Sequence, residues 1–288
     1  MAFSDREIST QDGRPVTLYL LEWGKTRWRY TSADRAITRQ ELVDGNQVAV
    51  TYEPRAMSDN GMRQGGSAQN DFQVSIPANL PIVALYQGTP PSETITLTVR
   101  RVHFDTLDDA PIYWIGDVTN IKRGSTAKAT IVGKPITASL KRTGLRLCWT
   151  RECPHFTYDD QCRAKLSDHE HLAAILAGGS GNVLYANIAT ARPDNYFRGG
   201  FLTYQASAEG TIERRAVEEQ VLETLADKTT RTRLVVFGTL AVPTGTAIKL
   251  YPACDRTPDT CGPIFNNQDN YGGWTEMPGD TPFGRAIF

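Results

Sequence analysis

At 288 residues the chain is long enough for one large domain or two ordinary ones, with two the expectation. Its 31 Lys and Arg stand against 32 Asp and Glu, spread along the chain, so the net charge of -1 excludes the basic footprint of stable nucleic-acid binding. No apolar run of about 18 residues exists, which excludes a membrane-spanning helix, and the start Met1-Ala2-Phe3-Ser4-Asp5-Arg6-Glu7 lacks the features of a signal peptide, so folding in a cytoplasm is expected.

Residues 14–143 read as a succession of short strands, at 16–21, 28–31, 47–52, 72–76, 94–102, 112–118 and 127–132. β-branched and aromatic residues alternate there with polar ones, and Gly, Pro, Asn and Asp fill the gaps. This pattern predicts a mainly β protein that begins with an antiparallel barrel-like or sandwich-like domain. The stretch 58–70 is almost devoid of apolar residues and reads as an exposed connection. After about Leu145 turns crowd in and the cysteines begin, so domains are expected at 1–145 and 146–288. In the second, residues 168–177 suggest a brief helix capped by Asp168 and stopped by Gly178-Gly179-Ser180-Gly181-Asn182. Strands resume at 200–204, 212–217, 221–225, 232–237 and 247–251. The segment from Arg214 to Leu225 also has high helical propensity.

The last of these strands would deliver a cysteine pair. The chain holds five cysteines, four of them in two pairs: Cys153-Pro-His-Phe-Thr-Tyr-Asp-Asp-Gln-Cys162 and Cys254-Asp-Arg-Thr-Pro-Asp-Thr-Cys261. In a reducing compartment such pairing favours metal or cluster ligation over disulfides, with Cys148 left over. Zinc knuckles usually separate their ligands by two to four residues. The wider intervals here suit an iron–sulfur cluster, whose thiolates approach different corners of a larger body. Spacing alone leaves a cluster, zinc and simply buried thiols all open.

Other residues carry less chemistry. His155, inside the first pair, reads as packing beside the site. His169 and His171 flank Glu170 at a spacing that points them to different faces of a helix, so a solvated helix start is expected. His103 closes a strand. No family-type nucleophile sequence surrounds Cys148 or Cys153, and the glycines at 178, 179 and 181 lack a P-loop lysine, so no enzymatic activity is expected. In the tail, Phe265, Tyr271 and Trp274 are expected to cover the cysteine site, with amides satisfying an irregular backbone.

With its flanking residues, the first pair resembles the Cys-Pro-His-x-Leu-Tyr-x-x-x-Cys element of a phage tail protein family similar to lambda minor tail protein L. The segment from Cys254 through Cys261, Phe265, Asn267, Asn270, Tyr271-Gly272-Gly273-Trp274 and Met277-Pro278-Gly279 is similar to the same family's downstream element. So are Gly13-Arg14-Pro15-Val16-Thr17-Leu18-Tyr19, Arg29-Tyr30-Thr31-Ser32-Ala33-Asp34-Arg35 and Phe197-Arg198-Gly199-Gly200-Phe201, and the resemblance runs through nearly the whole chain. Departures are Ala253 for Gly, Trp274 for Phe, Gly262-Pro263 and the additional Cys148. The resemblance implies a tail-tip or baseplate hub, with relatives in gene transfer agents, whose Cys153, Cys162, Cys254 and Cys261 hold a structural [4Fe-4S] cluster. It also implies a homotrimer located at the virion tail tip after assembly in the host cytoplasm. Its partners would be the distal tail protein, the tape measure protein and the central hub or receptor-binding protein. The competing expectation is a cellular β protein that binds zinc or a redox-active cluster.

Overall fold

Period-two alternation dictates strands, and the computed structural model shows which face each alternation buries. It describes residues 7–9, 13–61, 71–141, 149–190, 192–226 and 228–277. Contacts divide the chain into two units, Met1–Arg142 with Gln205–Glu213, and Thr143–Tyr204 with Arg214–Phe288. The boundary expected near residue 145 lies outside the described residues, as do Cys148, Pro278, Gly279 and positions 62–70 of the polar connection.

The first unit is built on β1 (Pro15–Trp23), β2 (Thr26–Thr31), β3 (Ile37–Val43), β4 (Asn46–Pro54), β5 (Ser58–Asp59), β6 (Phe72–Pro77), β7 (Ile95–His103), β8 (Ile112–Arg123) and β9 (Lys128–Pro135), with a short helix α1 (Pro81–Leu85). They form one nine-stranded sheet in the order β3-β4-β2-β1-β7-β8-β9-β6-β5. Neighbours are antiparallel except β2 and β4. Every strand expected here from the pattern is present. β3 was not foreseen, because Thr38-Arg39-Gln40-Glu41 is polar, and it exists through its register with β4, from Ile37 opposite Tyr52 to Val43 opposite Asn46.

Both faces of this sheet are covered. On β1 the odd positions Tyr19, Leu21 and Trp23 enter a core with Val74, Ile95, Leu97 and Ile131, while Val16 and Leu18 enter a second with Ile37, Val50, Tyr52 and Val102. Two-sided burial explains why the β1 sequence Val-Thr-Leu-Tyr-Leu-Leu is nearly continuous in apolar residues. Trp114 lies across Gly133, where an added Cβ would come within 2.7 Å of the indole, and stacks on Phe72 at 4.5 Å. Glycine is what allows that close approach.

The second unit holds, apart from Gln205, Ile212 and Glu213, the strands β10 (His171–Ser180), β11 (Val183–Ile188), β12 (Phe201–Gln205), β13 (Ile212–Thr224), β14 (Thr230–Val236) and β15 (Ala247–Tyr251), closed as a barrel in the order β10-β11-β14-β13-β12-β15. Ile175, Leu184, Phe197, Leu202, Val217, Leu234, Ile248 and Leu250 fill it. The mainly β class therefore stands, and the closed barrel belongs to the second unit. The helix expected over 168–177 is absent: Leu166–His169 is a single 3-10 turn and the rest is strand. Leu172 to Ala177 suits either structure, and pairing between β11 and β15 decides for strand, burying Ala173 and Ile175. The Gly178-Gly179 pair marks a register shift within the strand, so it does not terminate a helix. Conversely, Ile212–Thr224 is one long strand despite the helical propensity of the sequence from Arg214. Among the described residues no helix is long and apolar enough to cross a membrane.

Candidate metal centre

Two irregular segments carry the four paired cysteines. Asp159 shapes the first: its carboxylate accepts the amides of Phe156 (3.0 Å), Gln161 (3.0 Å) and Cys162 (2.6 Å), turning the chain back on itself. Burial raises its pKa, but those amides outweigh burial and hold the carboxyl below its usual range. The second segment leaves β15 at Tyr251, as the sequence suggested, and reaches Cys261 on α2 (Pro258–Cys261), a single turn with Pro at its start.

The segments are tied together near the thiols. The Cys153 amide donates to the Arg256 carbonyl at 3.0 Å, and the Cys254 amide donates to the Thr157 hydroxyl at 3.2 Å. The Tyr271 hydroxyl lies 2.9 Å from the Arg151 carbonyl and 3.1 Å from that of Arg256. Nitrogen donors reach three sulfurs: the Gly272 amide to Cys153 (3.4 Å), the Arg256 amide to Cys254 (3.3 Å) and the Asn267 side chain to Cys162 (3.5 Å). The fourth thiol, Cys261, donates to the Asn267 carbonyl at 3.2 Å. Of seven described non-glycine residues with positive φ, four lie here, at Tyr158, Arg163, Arg256 and Asn266. At Arg256 that left-handed turn accompanies an amide aimed at the preceding cysteine sulfur, so backbone strain is concentrated where donors are needed.

All four cysteines are free of disulfides, with Cys153 and Cys261 buried. Burial pushes the Cys261 thiol up to about 11, and Cys254, Cys153 and Cys162 add to the rise. Cys254 is raised as well, by burial first, then by Asp255, Cys162 and Cys153, against the Arg256 amide. A bound cation would reverse the rise at Cys254 and Cys261, because metal binding favours thiolates. Among the described residues, however, no three His, Cys, Asp or Glu side chains converge as ligands of one metal ion do.

Asn267, which the sequence marked only as one position of the downstream element, has a specific role at the site. It is buried, its amide nitrogen donates to the Cys162 carbonyl and sulfur, its side-chain oxygen accepts from Asn270 at 2.7 Å, and its carbonyl faces Cys261. Its legible signals were its place in the downstream element and the asparagine-rich run after Cys261. The histidines are also resolved. His155 packs on Gly272, where an added Cβ would lie 2.6 Å from the ring. His169 and His171 are not a solvated helix start: His169 sits 4.8 Å from the Phe265 ring and His171 5.1 Å from that of Phe197. Burial lowers the pKa of both. Phe265 is buried as expected, but Trp274 is 56% exposed and meets Trp149, itself 70% exposed, edge to face at 4.9 Å. Of the three aromatics, Phe265 packs against Tyr158 and His169 and Tyr271 ties the two segments through its hydroxyl, while Trp274 faces solvent.

Comparison with known proteins bears on the same region. A family model described as "Phage conserved hypothetical protein BR0599" matches residues 195–281, less than a third of the chain, and includes the second cysteine pair but not the first. Across nearly its full length the chain is similar to a chain of a structure described as "Virion of native gene transfer agent (GTA) particle". The TM-score is 0.74 at 18% identity, covering 99% of this chain and 95% of that one. The likeness is one of fold. No protein of curated function matches.

Proposed function

We propose that this chain is a structural, non-enzymatic component of a phage-like virion, placed at the tail tip or baseplate hub, with a [4Fe-4S] cluster held by Cys153, Cys162, Cys254 and Cys261. The observation that carries the virion reading is the fold likeness over almost the whole of both chains to a gene transfer agent virion protein, which the phage family match supports. In this role the protein forms a homotrimer that joins the distal tail protein and tape measure protein to a central hub or receptor-binding protein.

The donor set fits the cluster. Four thiols without disulfides, of which Cys153, Cys162 and Cys254 lie close enough to raise the Cys261 thiol, offer one shared soft donor set, and their wide spacing along the chain is what favours a cluster over a zinc ion. Zinc would draw its sulfurs to about 2.3 Å from one centre. Iron–thiolate bonds would supply cross-links between the two segments. This chain's own residues contribute N–H donors from Gly272, Arg256 and Asn267, which favour the charged sulfur.

The test is metal and sulfide analysis of protein purified without oxygen, joined to electron microscopy of particles. About four irons and four sulfides per chain are expected, with the chain at the tail tip in threefold symmetry. Stoichiometric zinc would overturn the cluster, and absence from the particle would overturn the virion role.

A further inference from the structure

The four paired cysteines are not equivalent. Three sulfurs accept a hydrogen bond: Cys153 from the Gly272 amide at 3.4 Å, Cys254 from the Arg256 amide at 3.3 Å and Cys162 from the Asn267 side chain at 3.5 Å. Cys261 is the exception. Its sulfur donates to the Asn267 carbonyl at 3.2 Å, and among the described residues no N–H reaches it. These are opposite surroundings for a metal ligand. An N–H donor stabilises the negative charge that a sulfur brings to iron, whereas a carbonyl oxygen sets the negative end of its dipole against that charge. A bond from the thiol to a carbonyl serves only the neutral sulfur, which is not the form that binds metal.

The local backbone fixes this arrangement. The Asn267 amide donates back to the Cys261 carbonyl at 3.0 Å, and the Asn266 amide donates to the Gly262 carbonyl at 2.8 Å. Asn266 itself stands in the left-handed region, at φ 46°. The Asn267 carbonyl therefore cannot turn from the sulfur without opening a strained, hydrogen-bonded turn. Solvent access points to other thiols. Cys261 is 6% exposed and Cys153 8%, whereas Cys162 and Cys254 are half-buried, so attack governed by exposure would begin at Cys162 or Cys254.

We propose, resting on the cluster reading above, that Cys261 is the weakest of the four ligands and that a one-electron oxidant makes the cluster release its iron at Cys261 first. With ferricyanide, the [4Fe-4S]2+ core gives up one electron and the oxidant becomes ferrocyanide. The bond from iron to Cys261 breaks with its electron pair left on sulfur, and that sulfur takes a proton from water. Iron leaves as Fe2+, and a [3Fe-4S]+ core stays on Cys153, Cys162 and Cys254. These three bonds still join the two segments, while α2 keeps no bond to metal at its end. The cross-link thus loosens at one corner and survives.

Wild-type protein purified without oxygen, its iron and sulfide measured first, is treated with one equivalent of ferricyanide and then with iodoacetamide. Alkylated peptides are mapped by mass spectrometry. Iron should fall by about one quarter, and the EPR signal of an oxidised three-iron cluster should appear. Cys261 should be alkylated about tenfold or more ahead of the other three, the ratio that one hydrogen bond to a charged group supplies. In a second arm, Cys261→Ala should be isolated with about three irons per chain, and Cys153→Ala, Cys162→Ala and Cys254→Ala without a cluster. If Cys261→Ala does not fold, the wild-type alkylation order decides. Earlier alkylation of another cysteine, alkylation of none, loss of all iron in one step, or a folded Cys261→Ala without iron overturns the weak corner and leaves the cluster standing. Zinc, or iron without sulfide, in the untreated protein overturns both.

Discussion

In the nine-stranded sheet, Leu18, Tyr19, Leu97 and Ile131 are sealed among apolar neighbours, and backbone groups are spent along ladders between strands. The cysteine segments differ. Across residues 149–165 and 252–277 only Cys153, Pro252, Cys261, Phe265 and Asn267 are buried, and backbone amides go to sulfurs, a carboxylate and scattered carbonyls. The sheet can stand on area removed from water. The segments have too little of it, so their order rests on polar contacts converging on the thiols, and cross-linking there has more to contribute than anywhere else in the chain.

The contrast is broken most forcefully at a proposed ligand. Cys254→Ser is expected to abolish iron binding and to open residues 149–165 and 252–277 to proteases, a loss of several kcal/mol locally, while the sheet keeps its melting transition. Limited proteolysis read by mass spectrometry checks this, and simultaneous cleavage in β1 or β7 would show that the two regions are not stabilised separately. The converse change is Leu97→Ala, expected to cost about 2–5 kcal/mol through the cavity it leaves. It should lower the melting temperature of the first unit with iron per chain unchanged.

A smaller effect is expected from Asn267→Ala, about 1–3 kcal/mol, because the Cys162 carbonyl and the Asn270 amide lose a buried partner. Faster amide exchange over 261–270 and quicker iron loss to a chelator are the readouts. The smallest concerns pH. Burial lowers the pKa of His169 and His171 in the folded chain, so unfolded protein binds their protons more tightly. Their contribution is present above the ordinary value of 6.5 and is lost as pH falls through the lower folded value. Melting of the second unit compared at pH 7.5 and about 5.5 should show a deficit that His169→Phe reduces, with no matching change in the sheet.

Most strands were legible because their signal is local. In β6, Phe72, Val74 and Ile76 alternate with polar residues and are buried as the pattern predicts. β3 and β10 were not, for opposite reasons. The first is too polar to announce itself and the second suits helix as well as strand, so that in each the neighbouring strand decides. At the site, the cysteines and Phe265 stood out by residue type, whereas Asn267 stood out only as a position of the downstream element, and its bonds to both cysteine segments were not readable from it. Trp274 misled because aromatic character speaks for burial on average, yet this ring faces solvent beside Trp149.

The sequence by itself determined that the chain is mainly β, that its strands fall where apolar residues alternate, and that four paired thiols form its most distinctive chemistry. These follow from spacing along the chain, which period and residue type carry directly. Only the tertiary structure decided that the barrel closes in the second unit and that Asn267 serves two cysteine segments at once. Each depends on registers and hydrogen bonds between residues distant in sequence, or on irregular backbone that has no period to read.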